Sequence, residues 1–263
     1  MHRKPLLAVL LAVTLVLAGC SGTTSQPTLG PGPNSGTPTS TPDGNISYPD
    51  GAGPDGVNAT ALADTHQSAL GAVDYRVTLD IATSGGSFQN TSRNLSVRSN
   101  LSSAELFQVA VIDTERVDGY RNTSATFLRR VAGGNVSYRV TEPQDSFEQA
   151  HRSSMSTATL QTVLTRGRFT ANGTVQSEGV TYIRYDLTGV QFGQQASETT
   201  IDDASGGLLV TPEGVVTFAA IDLTGTQSGS AFSYEITYRV PQVGSVPVEK
   251  PGWLDAARDA SSA

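Results

Sequence analysis

Apolar and polar positions alternate with a period of two over most of the chain beyond residue 70. Tyr75, Val77, Leu79 and Ile81 alternate with Asp74, Arg76, Thr78 and Asp80, the pattern of a strand that buries one face. The stretch that closes the series is cleaner: Phe232, Tyr234, Ile236, Tyr238 and Val240 against Ser233, Glu235, Thr237 and Arg239. Between the two, the same reading predicts strands over 90–101, 106–113, 117–121, 126–131, 136–141, 169–176, 180–187, 198–203, 208–211 and 215–223. Turn signals separate them, among them Gly85-Gly86, Gly133-Gly134, Gly179 and Gly206-Gly207.

Two segments change the period to that of a helix. The first runs from Asn58, a good N-cap, to Leu70, with Gly71 as terminator. Ala59, Leu62, Ala63, His66, Ala69 and Leu70 share its apolar face, so His66 reads as a packed, hydrogen-bonded histidine. The second opens on the capping-box pattern Asp145-Ser146-Phe147-Glu148 and is expected to run unbroken to Arg166, stopping at Gly167. Phe147, Met155, Ala158 and Val163 form its expected buried side, and His151 again reads as structural. Pro241, Pro247 and Pro251 bar further strand, Trp253-Leu254 docks the end of the domain, and 256–263 is expected to be a flexible tail.

So many one-sided strands and only two helices do not balance. A sheet that wide twists and curls, and two helices cannot cover it fully. Either it folds into a sandwich or it forms an unclosed half-barrel with a hollow on its concave face. The helix inserted mid-chain favours the second. The expected fold is therefore mainly β with two helices (α+β): a large curved antiparallel sheet over 58–255, with the helices on the concave side.

The N-terminus has a different character. His2, Arg3 and Lys4 precede an uncharged apolar run from Leu6 to Ala18, and Leu17-Ala18-Gly19-Cys20 follows. A basic head, a short apolar run and small residues at a cut describe a secretory signal, too short to span a bilayer. Leu-Ala-Gly-Cys resembles the lipobox of bacterial and archaeal lipoproteins. The resemblance implies cleavage after residue 19 and a lipid on the thiol of Cys20, the only cysteine, so that the membrane is held through that lipid. The alternative is an uncleaved anchor with an incidental cysteine. From Cys20 to 57 the chain reads as a disordered tether. Residues 21–57 hold seven of the thirteen prolines and eight glycines, with no basic residue, a composition that cannot bury enough apolar surface to order itself.

Charge and asparagine usage narrow the setting. Without Arg3 and Lys4, 15 basic residues face 24 acidic ones, a net charge of −9. Such a surface repels nucleic acid. Fifteen of the seventeen basic residues are arginine, a balance that resembles proteins of salt-loving archaea; an arginine-rich codon bias is the alternative. Eight of nine asparagines open an Asn-X-Ser/Thr triplet: Asn45, Asn58, Asn90, Asn94, Asn100, Asn122, Asn135 and Asn172. Ser and Thr make up 59 of 263 residues, so chance gives roughly two of nine. These eight are the candidate N-glycosylation sites of an extracytoplasmic surface. In the strand over 90–101, Asn90, Asn94 and Asn100 share one parity and Leu95, Val97 and Leu101 the other, so the acceptors project away from the core.

No catalytic pattern stands out. The chain lacks Gly-X-Ser-X-Gly and Ser-X-X-Lys, has three histidines with one in the signal, and has no phosphate-binding glycine loop before a helix. Asp202-Asp203 reads as a solvated turn rather than a calcium site or an acid/base pair, and Arg129, Arg130, Arg166 and Arg168 as solvated positions, with Arg166 alternatively the C-terminal charge of the helix. No cofactor, metal or enzymatic activity is expected.

The stretch from about Asn58 to Trp253 resembles the LolA/LppX-type lipoprotein fold. The features are the lipobox, a helix before the first strand, the mid-chain helix and the "GGLLVTPEGVV" hairpin at 206–216. The closing "PGWLDAA" at 251–257 is similar to lipoproteins of haloarchaea. The resemblance implies an open barrel that binds acyl chains or another hydrophobic ligand. The alternatives are a glycosylated envelope or adhesion protein with a packed core, and an accessory or sensor subunit of a membrane complex.

Overall fold

The structure is a computed structural model that describes residues 46–86, 88, 90–191 and 199–262. Cys20, Asn45, the signal and the start of the tether lie outside the described residues. Eleven strands form one antiparallel sheet: β3 (Tyr75–Gly85), β4 (Thr91–Asn100), β5 (Glu105–Ile112), β6 (Glu115–Arg121), β7 (Thr126–Ala132), β8 (Asn135–Thr141), β9 (Gly167–Ser177), β10 (Val180–Val190), β11 (Thr199–Val210), β12 (Val216–Gln227) and β13 (Ser230–Val243). Their order is β8-β7-β6-β5-β4-β3-β13-β12-β11-β10-β9, so β8 and β9 remain as separate edges and the sheet does not close into a barrel. A small hairpin, β1 (Ala52–Gly53) with β2 (Gly56–Val57), precedes it.

The helices are α1 (Ala59–Leu70), α2 (Phe147–Ser153), α3 (Thr157–Arg166) and α4 (Leu254–Ser262). Asn58 caps α1, its Oδ1 accepting from the Ala61 amide at 3.1 Å, and Ser146 caps α2, its Oγ accepting from Gln149 N–H at 3.2 Å. The first three helices lie on the inner face of the sheet. Leu62, Leu70, Leu160 and Val163 share one core with the alternating residues of β3, β12 and β13.

Five expectations change. The mid-chain helix is broken at Ser154–Ser156, where Ser156 takes a left-handed conformation (φ +57°). Ser153 Oγ donates to the Ala150 carbonyl and Ser154 Oγ to that of His151, so the hydroxyls compete for carbonyls a continuous helix would use. The expected turn at Gly206-Gly207 is the middle of a continuous β11. A Cβ on Gly206 would stand 2.2 Å from the Ala220 carbonyl oxygen, so this glycine serves a close approach between strands. Asp202 and Asp203 consequently lie exposed on that strand, beside a bulge.

Residues 46–57 are not tether. Ile46, Tyr48, Ala52 and Val57 pack against the main core, Ala171 N–H donates to the Pro54 carbonyl at 3.1 Å, and a Cβ on Gly51 would collide with the backbone at Leu62. The tail is not loose either: 256–262 belongs to α4, held by Leu254 and Ala257.

The position of α4 also corrects the expectation that every helix lies on the concave side. Directly paired residues of an antiparallel ladder share a face. Ser99 on the inner face pairs with Leu106, so Phe107 faces outward. Phe107 pairs with Tyr120, Tyr120 with Phe127 and Phe127 with Val140. These outward residues form a second core with Leu254, Ala257, Val248 and Trp253. The sheet thus changes its buried face along its width: inner from β9 to β3, outer from β5 to β8.

Candidate functional site

The middle of the inner face is filled. Tyr75, Tyr185, Tyr234 and Tyr238 are each at most 1 % exposed, and hydrogen bonds link several of the polar groups there. The Val216 amide donates to His66 Nδ1 at 3.1 Å. Nε2 therefore carries the ring proton and donates to the Tyr238 hydroxyl at 3.0 Å. Tyr238 in turn donates to the Met155 carbonyl at 3.1 Å. Tyr75 donates to the His151 carbonyl, with Ser154 Oγ at 2.6 Å, and Ser99 Oγ lies 2.7 Å from His151 Nδ1. Two strand tyrosines thus take up carbonyls exposed by the break between α2 and α3. Both histidines are structural, as their place on apolar faces implied. Burial lowers the pKa of His66 to about 4 and lowers that of His151, so both are neutral in the folded protein near pH 7.

Beyond this filled region the inner face is differently built. Register places Leu79, Leu95, Ala110 and Val117 side by side in one row across β3, β4, β5 and β6. Leu79 is buried, whereas Leu95, Ala110 and Val117 are half-buried. At ~4.8 Å per strand the row runs about 14 Å. In the next row Ile81, Arg93, Ile112 and Glu115 stand side by side, with Ile112 40 % exposed. On the other side of the apolar row, Gln108 lies over Gly119, where a Cβ would stand 2.9 Å from its Cγ.

Arg93 and Glu115 differ in how their charges are met. Glu115 is held by Arg130, with Nε and an η-nitrogen at 2.5 and 2.6 Å from its two oxygens. Arg93 has no carboxylate within ion-pair reach among the described residues, and its Nε is buried without a hydrogen bond. Desolvation by burial lowers its pKa. The sequence carried a signal for this residue: Arg93 occupies an inward slot in the series Arg93, Leu95, Val97 and Ser99. Arg130 is exposed, as the solvated reading has it, and pairs with Glu115, while Arg129 is half-buried and pairs with Asp118 at 2.9 Å. Arg166 stacks over the Tyr234 ring at 4.7 Å.

The candidate acceptor asparagines are scattered and engaged to different degrees. Asn94 and Asn100 have the outward parity expected on β4. Asn100 Nδ2 donates to Asp74 at 2.9 Å and to the Val246 carbonyl at 2.9 Å. Asn94 Nδ2 donates to Asp80 at 2.6 Å, and Asn172 Nδ2 to Asp186. Asn58 and Asn122 use Oδ1, as helix cap and turn acceptor respectively. Asn90 and Asn135 are exposed. Among the described residues no group of His, Cys, Asp and Glu could hold a metal ion, and no helix is long and apolar enough to cross a membrane.

These features define a domain built on one open antiparallel sheet, with helices laid along its inner face and a half-covered apolar strip. The chain belongs to the family described as "Family of unknown function (DUF7537)", whose model matches residues 5–257. No curated protein matches the sequence. Among solved structures, LprF from Mycobacterium bovis is similar at 10 % identity and a TM-score of 0.33, over 74 % of this chain and 96 % of that one. The LolA superfamily protein NE2245 from Nitrosomonas europaea is similar at 9 % identity and a TM-score of 0.23, over 74 % and 96 %.

Proposed function

We propose that the protein is an extracytoplasmic lipoprotein, anchored through a lipid on Cys20 and N-glycosylated, that holds a hydrophobic ligand against the inner face of its sheet. The observation that carries the reading is the half-exposed apolar row of Leu95, Ala110 and Val117 with Ile112 beside it. Single exposed hydrophobics are ordinary, but a contiguous apolar strip on a concave surface is the usual form of a ligand site. The ligand lies over β4–β6, beside the region that tyrosines and helices fill.

Native mass spectrometry of the full chain carrying Cys20→Ser tests this part. Co-purified lipid that is lost in Val117→Asp is the expected result, and a ligand-free chain overturns it. Intact mass of the native protein tests the anchor: a diacylglyceryl or dialkylglyceryl adduct on Cys20 is expected, and an unmodified cysteine removes it.

Glycan placement follows from Nδ2, the atom that would carry the sugar. Asn90 and Asn135, both exposed, are expected to be occupied and Asn100 empty, since its amide donates to two partners. Glycopeptide mapping reads this directly. Sugar on Asn100 removes the ranking, and bare asparagines throughout remove the glycosylation reading. The densely filled centre favours a second reading, an envelope protein whose sheet is purely structural; it stands if no lipid is found.

A further inference from the structure

Among the described residues Arg93 is a half-buried cation on an apolar face with no anion beside it. Isolated charges are costly to desolvate, and buried arginines are normally paired. Its row neighbours are Ile81 and Ile112, and the row beside it is Leu79, Leu95, Ala110 and Val117. The nearby carboxylate on the same face, Glu115, is occupied at both oxygens by Arg130. A fixed positive charge therefore borders an apolar strip about 14 Å long that leads inward to Leu79 of the buried core.

We propose that this strip is a binding site for an anionic amphiphile, a single acyl or alkyl chain with a carboxylate or phosphate head. The chain lies along Leu95, Ala110 and Val117, and the head is received by the Arg93 guanidinium, whose planar fork suits either oxyanion. The assignment rests on the hydrophobic-ligand reading above and adds the sign of the headgroup. A cationic amphiphile is disfavoured at the same place, and a neutral one gains the apolar contacts alone.

Isothermal titration of the full chain carrying Cys20→Ser, with dodecanoate, dodecyl phosphate, dodecanol and dodecyltrimethylammonium, tests it. Dodecanoate or dodecyl phosphate is expected to bind at least about tenfold more tightly than dodecanol, the stronger of the two identifying the head. Arg93→Met is expected to abolish that preference while leaving dodecanol binding within about twofold, and Arg93→Lys to restore part of it. A thermal melt of Arg93→Met checks the fold; removal of an unpaired half-buried charge is expected to leave the midpoint unchanged or raised. Equal binding of charged and neutral probes, or a preference that survives Arg93→Met, overturns the role of Arg93 and leaves the hydrophobic site standing. Failure of every probe to bind overturns both.

Discussion

His66 joins three parts of the chain: α1, where it sits, the start of β12 through Val216, and β13 through Tyr238. Each of its nitrogens has one partner only while the ring is neutral. The folded pKa of about 4 lies below the value of about 6.5 for a free imidazole, so the unfolded chain takes up the proton first as pH falls. The stabilisation is complete above pH 6.5 and is lost between about pH 6.5 and 4, on the order of 3 kcal/mol. Urea titrations across that window are expected to show a steep loss of stability in the native protein. In His66→Asn the slope is expected to be shallower and stability at pH 7.5 lower. A parallel pH dependence in the two proteins would remove His66 from the account. Tyr238→Phe is a second probe, since it leaves His66 Nε2–H and the Met155 carbonyl unpaired, at a cost of about 1–3 kcal/mol.

Among the elements, the β11–β12 hairpin shows how a local sequence is tied to tertiary packing. Its turn is closed by Gly214 N–H donating to the Thr211 carbonyl at 2.9 Å. Gly214 has φ +88°, and a Cβ there would stand 2.3 Å from Thr65 Cγ2 on α1. Gly214→Ala therefore meets both a backbone penalty and a clash, and is expected to lower stability by about 1–3 kcal/mol, read as a shift of the urea midpoint. An unchanged midpoint would mean that α1 yields at Thr65.

The strands were legible because one buried face imposes a period of two, and β3 and β13 show it without interruption. The break in the mid-chain helix was not, because Ser153, Ser154 and Ser156 act through hydroxyls whose bonding depends on the neighbouring tyrosines. The tail looked loose because α4 keeps only Leu254 and Ala257 as its inward residues. Of the candidate site, the inward parity of Arg93 was readable. The row that joins Leu95 to Ala110 and Val117 was not, since it exists only once β4, β5 and β6 are paired in register.

At the scale of the molecule, the sheet carries two cores on opposite faces. The larger holds α1, α2 and α3 against β3, β12 and β13; the smaller holds α4 against β7 and β8. Ala257 is fully buried in the smaller one. Ala257→Asp is expected to detach α4 and to expose Tyr138 and Trp253, whose rings lie 6.4 Å apart, with a red shift of the single tryptophan's emission. The larger core is expected to survive, since the buried residues of α4 belong to the smaller cluster and α4 packs chiefly on β7 and β8. A global collapse in this variant would mean that the two cores melt as one.

The ladders from β4 to β6 join the two cores, together with Arg121 of β6, which pairs with Asp145 beside the start of α2, and those ladders form the floor beneath Ala110 and Val117. Half-covered there, the sheet is expected to yield most readily where the apolar strip lies. Twisting of the β6–β8 blade about that seam would widen or narrow the strip without disturbing the tyrosine-filled centre, so that one rigid body could grip chains of differing girth. Amide exchange that is faster in β6–β8 than in β12–β13, and that slows when an amphiphile is bound, is the signature of such a jaw.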